Sequence, residues 1–440
     1  MGRLRTLATL IAGTLAAAPA LGAEITRVSS SGEPDNAFDL RVEVRWERTQ
    51  HHARITREYG DNGGTTGIGT VNDNVELDYS QVTNRLVPAL HVGLWHDLEL
   101  RAELPYVLND DATWKDASDG TSALTPNPAL TPPYYGINAD GAVCASPGCP
   151  FFPVGKTLHA GGALGDLKAG IAWGILNERK VPFAPTWVVS IDLTAPTAAG
   201  FDPAAGRLTA ASFFDAPSFA SSKRAGVGRK IWVYELATAL SKRMGPADPY
   251  FQAHLRIPQK SSGTYSNCDH AAELAAIGQM TSVSPALCQT GAKKLAEADP
   301  PLVAGMIFGA ELVPYEDAAT SQKFSIDLRL SGDVTSSGRW YDELTPATGK
   351  LMHNQAYLSA AASLGLQLRA SRYITLSALG SYQYDTSHLV SGEALGHVSN
   401  EVVYPPTNPN FDFRWDLPGR RFRVIESTLL SVAVNAAITF

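Results

Sequence analysis

The sequence predicts an all-β protein, a transmembrane antiparallel up-and-down β-barrel of about 12 strands, and three observations carry this prediction. Segments of alternating apolar and polar residues recur along the chain, and long and short connections alternate between them. After Ala23 no apolar run approaches the length of about 20 residues that a membrane-spanning helix needs. Composition agrees, because 38 Gly and 28 Pro residues favour turns and strands over long helices.

The first part of the chain has the features of a secretory signal peptide. Two arginines open it, an apolar stretch follows, and small residues lead up to Ala23. We place the cleavage after Ala23, with cuts after Ala20 or Gly22 as alternatives. Residues 24–38 would then form a periplasmic N-terminal segment and residues 39–440 an outer-membrane barrel in a Gram-negative envelope.

The strands are predicted from alternation with a period of two residues. In segment 39–47 every second residue is apolar and the residues between are charged, and segments 98–107 and 321–332 repeat this pattern. Alternation alone establishes strands, whereas a membrane barrel turns its apolar face to lipid. The predicted strands are 39–50, 83–94, 98–107, 164–176, 186–196, 230–242, 249–258, 302–314, 321–332, 356–369, 373–384 and 424–440.

The connections between these strands separate a membrane barrel from a soluble sandwich. Short periplasmic turns that alternate with long extracellular loops are typical of outer-membrane barrels. Fourteen strands remain an alternative if 68–82 or 396–404 form additional strands. The long loops are predicted at 51–82, 108–163, 197–229, 259–301, 333–355 and 385–423, and the short turns at 95–97, 177–185, 243–248, 315–320 and 370–372.

The C-terminal strand and the overall charge indicate the partners. The chain ends on alternating apolar residues that close with Phe440, which resembles the signal by which barrels are recognised for insertion. We therefore expect the barrel-assembly machinery, outer-membrane lipid and small-molecule solutes as partners. With 36 basic against 43 acidic residues, the sequence gives no support to nucleic-acid binding, and we expect no cofactor.

The four cysteines all fall in predicted extracellular loops, at Cys144, Cys149, Cys268 and Cys288. Export to an oxidising compartment favours two disulfides, and four cysteines allow three pairings. The local pairing, Cys144 with Cys149 and Cys268 with Cys288, needs no contact between loops and is favoured. A metal site is the weaker alternative, because no paired Cys-x-x-Cys or His-x-x-His accompanies these residues.

Three short runs lie at strand ends, Glu-Leu-Pro-Tyr at 103–106, Gly-Asp-Leu-Lys-Ala-Gly at 165–170 and Leu-Thr-Ala-Pro-Thr at 193–197. In order and spacing they resemble the outer-membrane barrel family named for the meta-cleavage pathway of phenol degradation. The resemblance covers the third to fifth predicted strands by motif and the rest by architecture, and the Gly expected after the Pro-Thr pair is displaced to Gly200. It implies a transporter-like barrel associated with uptake of aromatic or other hydrophobic compounds, without defining substrate residues.

The predicted inward faces differ in character around the barrel. The first three strands contribute charged side chains, whereas the last three contribute small neutral ones. We expect either a conduit along the small-residue wall that passes the arginines, or charges that pair across strands and fill the interior. The candidate lumen residues are Arg41, Glu43, Arg45, Arg85, His91, Glu99, Arg101, Glu103, Ser359, Ser363 and Ser377.

Three classes of function are compatible with such a barrel. The favoured class is a channel or transporter for small molecules, including hydrophobic or aromatic compounds. A structural or adhesive protein acting through its loops is the alternative. An enzyme such as a lipase or protease is favoured least, because neither Gly-x-Ser-x-Gly nor His-Glu-x-x-His occurs. Asp110, Asp111 and His388 lie near the predicted extracellular rim, where three polar loop residues are weak evidence for a catalytic site.

Overall fold

The structure of the chain is a computed structural model. The signal-peptide prediction up to residue 22, the Cys144–Cys149 pairing and the alternative strand at 396–404 lie outside the described residues. Within those residues, no helix is long and apolar enough to cross a membrane. The structure describes residues 23–32, 36–60, 71–117, 155–208, 226–276, 288, 292–394, 408, 410–412, 415–416, 418–419 and 421–440.

Strands make up most of the described chain, and the few helices are short. The helical segments are the 3-10 turns η1 (Glu24–Thr26) and η2 (Ala292–Ala296) and the helices α1 (Ala205–Leu208), α2 (Ala271–Ala276) and α3 (Thr345–Thr348). The strands are β1 (Leu40–Gly60), β2 (Val71–Trp95), β3 (Leu98–Glu103), β4 (Tyr106–Asp116), β5 (Thr157–Ala160), β6 (Ala163–Leu164), β7 (Leu167–Leu176), β8 (Thr186–Ala195), β9 (Ile231–Ser241), β10 (Ala247–Lys260), β11 (Val303–Asp317), β12 (Gln322–Thr335), β13 (Gly338–Trp340), β14 (Met352–Asn354), β15 (Tyr357–Arg369), β16 (Ile374–Asp385), β17 (His388–Leu389) and β18 (Phe422–Thr439).

The long strands close into an antiparallel barrel with twelve crossings in the described residues. β3 and β4 together form the third crossing, and β5, β6 and β7 together form the fourth. Every crossing pairs with its neighbours in sequence, and β18 pairs with β1, where Val44 lies opposite Ala436. The predicted fold class and strand number are confirmed. Short β13 and β14 form a separate hairpin.

The barrel wall has an apolar outer face and a polar inner face over its middle section. On β1, Val42, Val44 and Trp46 are exposed, whereas the intervening Arg41 and Glu43 are buried inside. Apolar side chains are exposed in the same way on the other crossings. A soluble sandwich would bury those residues instead, so this arrangement suits a lipid environment.

Two strands run much further than predicted. β1 continues to Gly60 and β2 begins at Val71, so most of the predicted loop 51–82 is paired strand and that boundary is wrong. In this extension the apolar side chains face inward, and Ala53 and Ile55 are buried. The apolar residues here lie on the opposite face of the strand from those of the lipid-facing section. A prediction that looks for an apolar outer face and a polar inner face therefore ends the strand too early.

The predicted loop 108–163 also contains strand at both ends, since β4 reaches Asp116 and β5 begins at Thr157. The early start of β2 at Val71 decides part of the 14-strand alternative. Residues 71–82 belong to β2, so the segment 68–82 does not supply a separate crossing.

An apolar cluster occupies the end of the barrel from which the long loops project, here called the long-loop end. The inner faces of β1, β2, β4 and β18 pack there against the segment that carries α3, β13 and β14. Fully buried Trp114 also donates a hydrogen bond from Nε1 to the Glu343 carbonyl oxygen at 2.9 Å. This cluster, the cap, consists of Ala53, Ile55, Leu77, Tyr79, Ala112, Trp114, Leu344, Ala347, Met352, Val390, Trp415, Phe422 and Val424.

One predicted disulfide lies within the described residues. Cys268 and Cys288 are joined across a separation of 20 residues, in the long connection between β10 and β11. The preferred local pairing is therefore confirmed for this pair. Nearby, Asn267 fixes the loop to the cap segment, because its amide donates to the Leu351 carbonyl oxygen at 3.0 Å and accepts from the Leu351 N–H at 2.7 Å.

Candidate functional site

The N-terminal segment, residues 23–32, folds into the barrel lumen. The Glu24 N–H donates to Glu311 on β11 at 2.9 Å, and the Ser29 N–H donates to Glu99 on β3 at 2.7 Å. The Thr26 hydroxyl lies 2.8 Å from the Ser241 hydroxyl on β9. Because β3, β9 and β11 are far apart around the barrel, one short segment can contact all three only from inside. The sequence predicts a periplasmic segment at residues 24–38, and Glu24, Thr26 and Ser29 of this segment contact the inner faces of β11, β9 and β3.

Salt bridges join this segment to the charged side chains of β1. The Arg41 guanidinium lies 2.6 Å from a Glu24 carboxylate oxygen and 3.0 Å from Glu43. Arg45 lies 3.4 Å from Glu43 and 3.3 Å from Glu103 on β3. Since charges in a narrow interior need partners, these pairs allow the ionic wall to be desolvated.

The ionic network continues around the barrel beyond the strands where it was predicted. Arg101 on β3 donates two hydrogen bonds to the carboxylate of Asp192 on β8, at 2.6 and 2.5 Å. His91 lies 2.9 Å from Glu99, which also accepts the Ser29 N–H. The bidentate geometry fixes the Arg101 side chain more firmly than a single contact would.

Sequence reasoning missed several charged residues of the inner face. Lys323 and Glu311 form a buried pair at 2.5 Å, and the Tyr250 hydroxyl donates to Asp327 at 2.5 Å. Asp192 was missed as well. The alternation that predicts β12 did place Asp327 on the polar face, so that signal was available. No local pattern indicates that Glu311 meets the N-terminal segment, because 287 residues separate it from Glu24.

The adjoining wall, formed by β15, β16 and β18, carries small neutral side chains, and β18 of this wall pairs with β1 of the ionic wall. Ser363 donates to Ser381 at 3.0 Å, and Ser359 donates to Asp385 at 2.6 Å. These hydrogen bonds link neighbouring strands and keep the side chains close to the wall. The wall therefore leaves room beside the N-terminal segment.

A polar cavity of about 330 Å³, the lumen cavity, lies between the two walls and the N-terminal segment. Paired charges and an open cavity therefore occur together in the lumen, although the sequence presents them as alternatives. Arg85, which pairs with Glu47, lies on the inner face outside this lining, together with Ser359 and Ser363. The predicted residues that line the lumen cavity are Arg41, Glu43, Arg45, His91, Glu99, Arg101, Glu103 and Ser377.

A second, smaller cavity of about 180 Å³, the mouth cavity, lies at the long-loop end. Strand residues such as Tyr79 and Asp110 form one side, and loop residues such as Arg229 and Tyr341 form the other. The two cavities share no lining residue. Sequence analysis did not predict this cavity, because its loop residues are distant in sequence from its strand residues.

The residues considered for an enzyme do not converge. The Asp111 carboxylate lies 2.8 Å from His159 Nδ1, whereas Asp110 accepts hydrogen bonds from Gln81 and Thr83. His388 stacks on Tyr357 with ring centroids 4.2 Å apart. In the described part of the chain, no group of three His, Cys, Asp or Glu side chains is placed to hold a metal ion.

The three runs that carry the family resemblance meet in space. The Gly165 N–H donates to the Pro105 carbonyl oxygen at 2.7 Å. Pro105 lies in the break between β3 and β4, and Gly165 lies in the break between β6 and β7. The Leu167 N–H donates to the Thr197 hydroxyl at 2.9 Å. A Cβ atom at Gly165 would lie 2.8 Å from the Pro105 ring, so the close approach requires glycine there.

Comparison with known proteins gives structural similarity alone. No family model matches the sequence, and no curated protein matches it. An outer membrane channel from Pseudomonas putida F1 is similar at 10% identity and a TM-score of 0.43, over 93% of this chain and 97% of that one. A Pseudomonas aeruginosa FadL homologue is similar at 9% identity and a TM-score of 0.33, over 92% and 90%. The outer membrane protease OmpT from Escherichia coli is similar at 8% identity and a TM-score of 0.30, over 92% and 98%. Similarity at this level does not indicate what the chain binds.

Proposed function

We propose that the chain forms an outer-membrane channel or transporter that passes small molecules through the barrel lumen. The observation that carries this proposal is a closed barrel with an apolar outer face around a polar cavity of about 330 Å³. A closed barrel satisfies its backbone hydrogen bonds within the wall, so it can reside in lipid while its interior stays polar.

The route we propose runs along the small-residue wall. The lumen cavity reaches Ser377 and Asn435 on that wall and Arg45 and Arg101 on the ionic wall. A solute on this route would meet fixed, paired charges on one side and little steric obstruction on the other. Hydrophobic or aromatic compounds are the solutes that the family resemblance implies, and they are part of the proposal.

The proposed partners follow from the outer surface and the last strand. Outer-membrane lipid would cover the exposed apolar side chains of the middle section. The barrel-assembly machinery would recognise the C-terminal strand, whose exposed Phe440 donates its N–H to the Leu40 carbonyl oxygen at 2.8 Å and thereby closes the barrel.

The first test is single-channel recording in a planar lipid bilayer with refolded protein of residues 24–440. We expect discrete conductance steps, and a larger conductance when residues 24–32 are deleted, because the segment occupies the lumen. A control replaces residues 24–32 by Gly-Ser repeats of equal length, which removes the anchoring contacts but keeps the chain. Folded barrels that stay silent in all three forms would contradict the proposal.

The second test narrows the small-residue wall. Ser377→Trp should reduce solute flux in liposome-swelling assays, because an indole there would fill the lumen cavity. Adding Ser363→Trp places a second indole on the same wall outside the cavity and should reduce the flux further. Ser371→Trp in the turn between β15 and β16 is the matched control and should leave the flux unchanged. Equal flux in all variants would mean that solutes do not follow this wall.

The other functions are proposed with less support. A structural or adhesive role would be favoured if loop truncation abolished cell binding but spared conductance. An enzymatic role is the least favoured, because Asp110, Asp111 and His388 each have separate contacts.

A further inference from the structure

The mouth cavity combines an aromatic lining with a buried cation. The Arg229 guanidinium carbon lies 4.2 Å from the centroid of the Tyr341 ring and 4.8 Å from that of the Phe201 ring. Tyr341 in turn packs edge-on against Phe201, with centroids 5.8 Å apart. Contact with both rings holds a planar guanidinium in place without using its hydrogen-bond donors.

One of those donors is left unsatisfied. Arg229 Nη1 is buried and has no hydrogen-bond acceptor among the described residues. Burial lowers the pKa of Arg229, which reflects the cost of keeping a cation away from water. A buried guanidinium nitrogen without an acceptor is unfavourable. An anionic ligand beside the guanidinium would offset the cost of burying its charge.

Two carboxylates that line the mouth cavity, those of Asp110 and Glu343, do not supply the missing acceptor. Asp110 receives hydrogen bonds from Gln81 at 2.6 Å and from Thr83 at 3.0 Å. The Glu343 carboxylate lies 3.6 Å from His51 Nε2. Both carboxylates therefore have other partners in the strand wall.

Asp342 differs from these two carboxylates. Its Oδ1 accepts hydrogen bonds from the N–H groups of Leu344 and Thr345 at 3.0 and 2.7 Å, whereas Oδ2 is buried without a partner among the described residues. Burial, together with the adjacent charge of Glu343, raises the pKa of Asp342 to about 8. At neutral pH its carboxyl group is therefore largely protonated, so it adds little negative charge and can donate a hydrogen bond.

We propose that the mouth cavity binds a small carboxylate with a flat apolar body, as the first binding site for solutes at the long-loop end. The carboxylate pairs with the guanidinium of Arg229, which lines the cavity, and the apolar body lies against Tyr79 and Leu158 on the strand side of the cavity. The volume of about 180 Å³ accommodates a ligand of about the size of a single substituted ring. The binding site itself does not depend on the proposed transport function. The inference rests on that function only where it calls the ligand a transported solute.

The test uses benzoate, benzylamine and benzyl alcohol as single-ring probes of similar size and different charge. Isothermal titration calorimetry on residues 24–440, refolded in detergent, should detect benzoate binding and at least about tenfold weaker binding of the other two. Arg229→Gln should weaken benzoate binding by at least about tenfold, because the charged donor is lost. Arg54→Gln, which removes an exposed arginine on the outer side of β1, is the matched control.

Several outcomes would overturn the proposal. These are absence of benzoate binding by the folded protein, tighter binding of benzylamine, or unchanged binding in Arg229→Gln. If Arg229→Gln does not fold, Tyr341→Leu tests the same site, because it removes one of the two rings that hold the guanidinium. Conductance measured on the same preparations separates the two proposals, since conductance without benzoate binding refutes this site alone, and binding without conductance refutes the channel alone.

Discussion

The middle of the barrel and its long-loop end are built from the same strands, but their apolar side chains point outward in the middle and inward at the long-loop end. On β1, Arg41 and Glu43 lie inside while Val42 and Val44 lie outside, whereas further along the strand the inward Ile55 is fully buried in an apolar cluster. The alternation continues, and only the assignment of its two faces changes. Below the cap, lipid would take the apolar face, and at the long-loop end the cap takes it. A period of two thus identifies a strand but not its surroundings.

The largest effect that tests this comparison is expected in the cap. Trp114→Ala removes the largest fully buried side chain together with its hydrogen bond to the Glu343 carbonyl, and should destabilise the cap by ~3–5 kcal/mol. Hydrogen exchange should lose protection at residues 344–352 and keep it in the middle of β1. Trp114→Phe is the control, with a smaller loss because the ring remains. Loss of protection throughout the barrel would mean that the two regions do not fold independently.

A charge placed on the outer face should show where lipid contact ends. Val44→Arg should cost ~2–4 kcal/mol, because it lies in the apolar section of β1. Gln50→Arg, on the same face of the same strand, should change stability by less than about 0.5 kcal/mol. Urea unfolding of vesicle-inserted protein, followed by tryptophan fluorescence, measures both. Equal costs would place Gln50 in the hydrocarbon region and move the boundary.

The effect that is smallest per pH unit is the pH dependence of stability, and it is again confined to the cap. The pKa of Asp342 is about 8 in the folded protein, above the ordinary value of 3.8, so the folded state retains a proton that the unfolded chain loses. Cap stability should therefore fall as pH rises from about 4 to 8, by at most about 1.4 kcal/mol per pH unit, and level off above 8. Hydrogen exchange of residues 344–352 across this range measures the slope. Asp342→Asn should abolish it, and a slope that persists in that variant would assign it to another group.

Much of the wall could be predicted from local patterns. The segment 39–50 shows which residues share a face, and the Cys268–Cys288 pair follows from cysteines within one loop of an exported chain. The site was predicted in part, because the charged inner faces of β1 to β3 line the lumen cavity. The mouth cavity could not be predicted, since Arg229 and Tyr341 are brought together by loops without periodicity.

By itself, the sequence determined the barrel, its strand number and its polar interior, because each depends on alternation within about ten residues and on the lengths of connections. The tertiary structure alone decided three things. It placed the N-terminal segment inside the lumen, through contacts such as Glu24 with Glu311. It turned the apolar face of the alternation inward at the cap, and it brought Arg229 into contact with two aromatic rings. These features arise from contacts between residues distant in sequence, whose energies depend on burial and on partners that no local pattern contains.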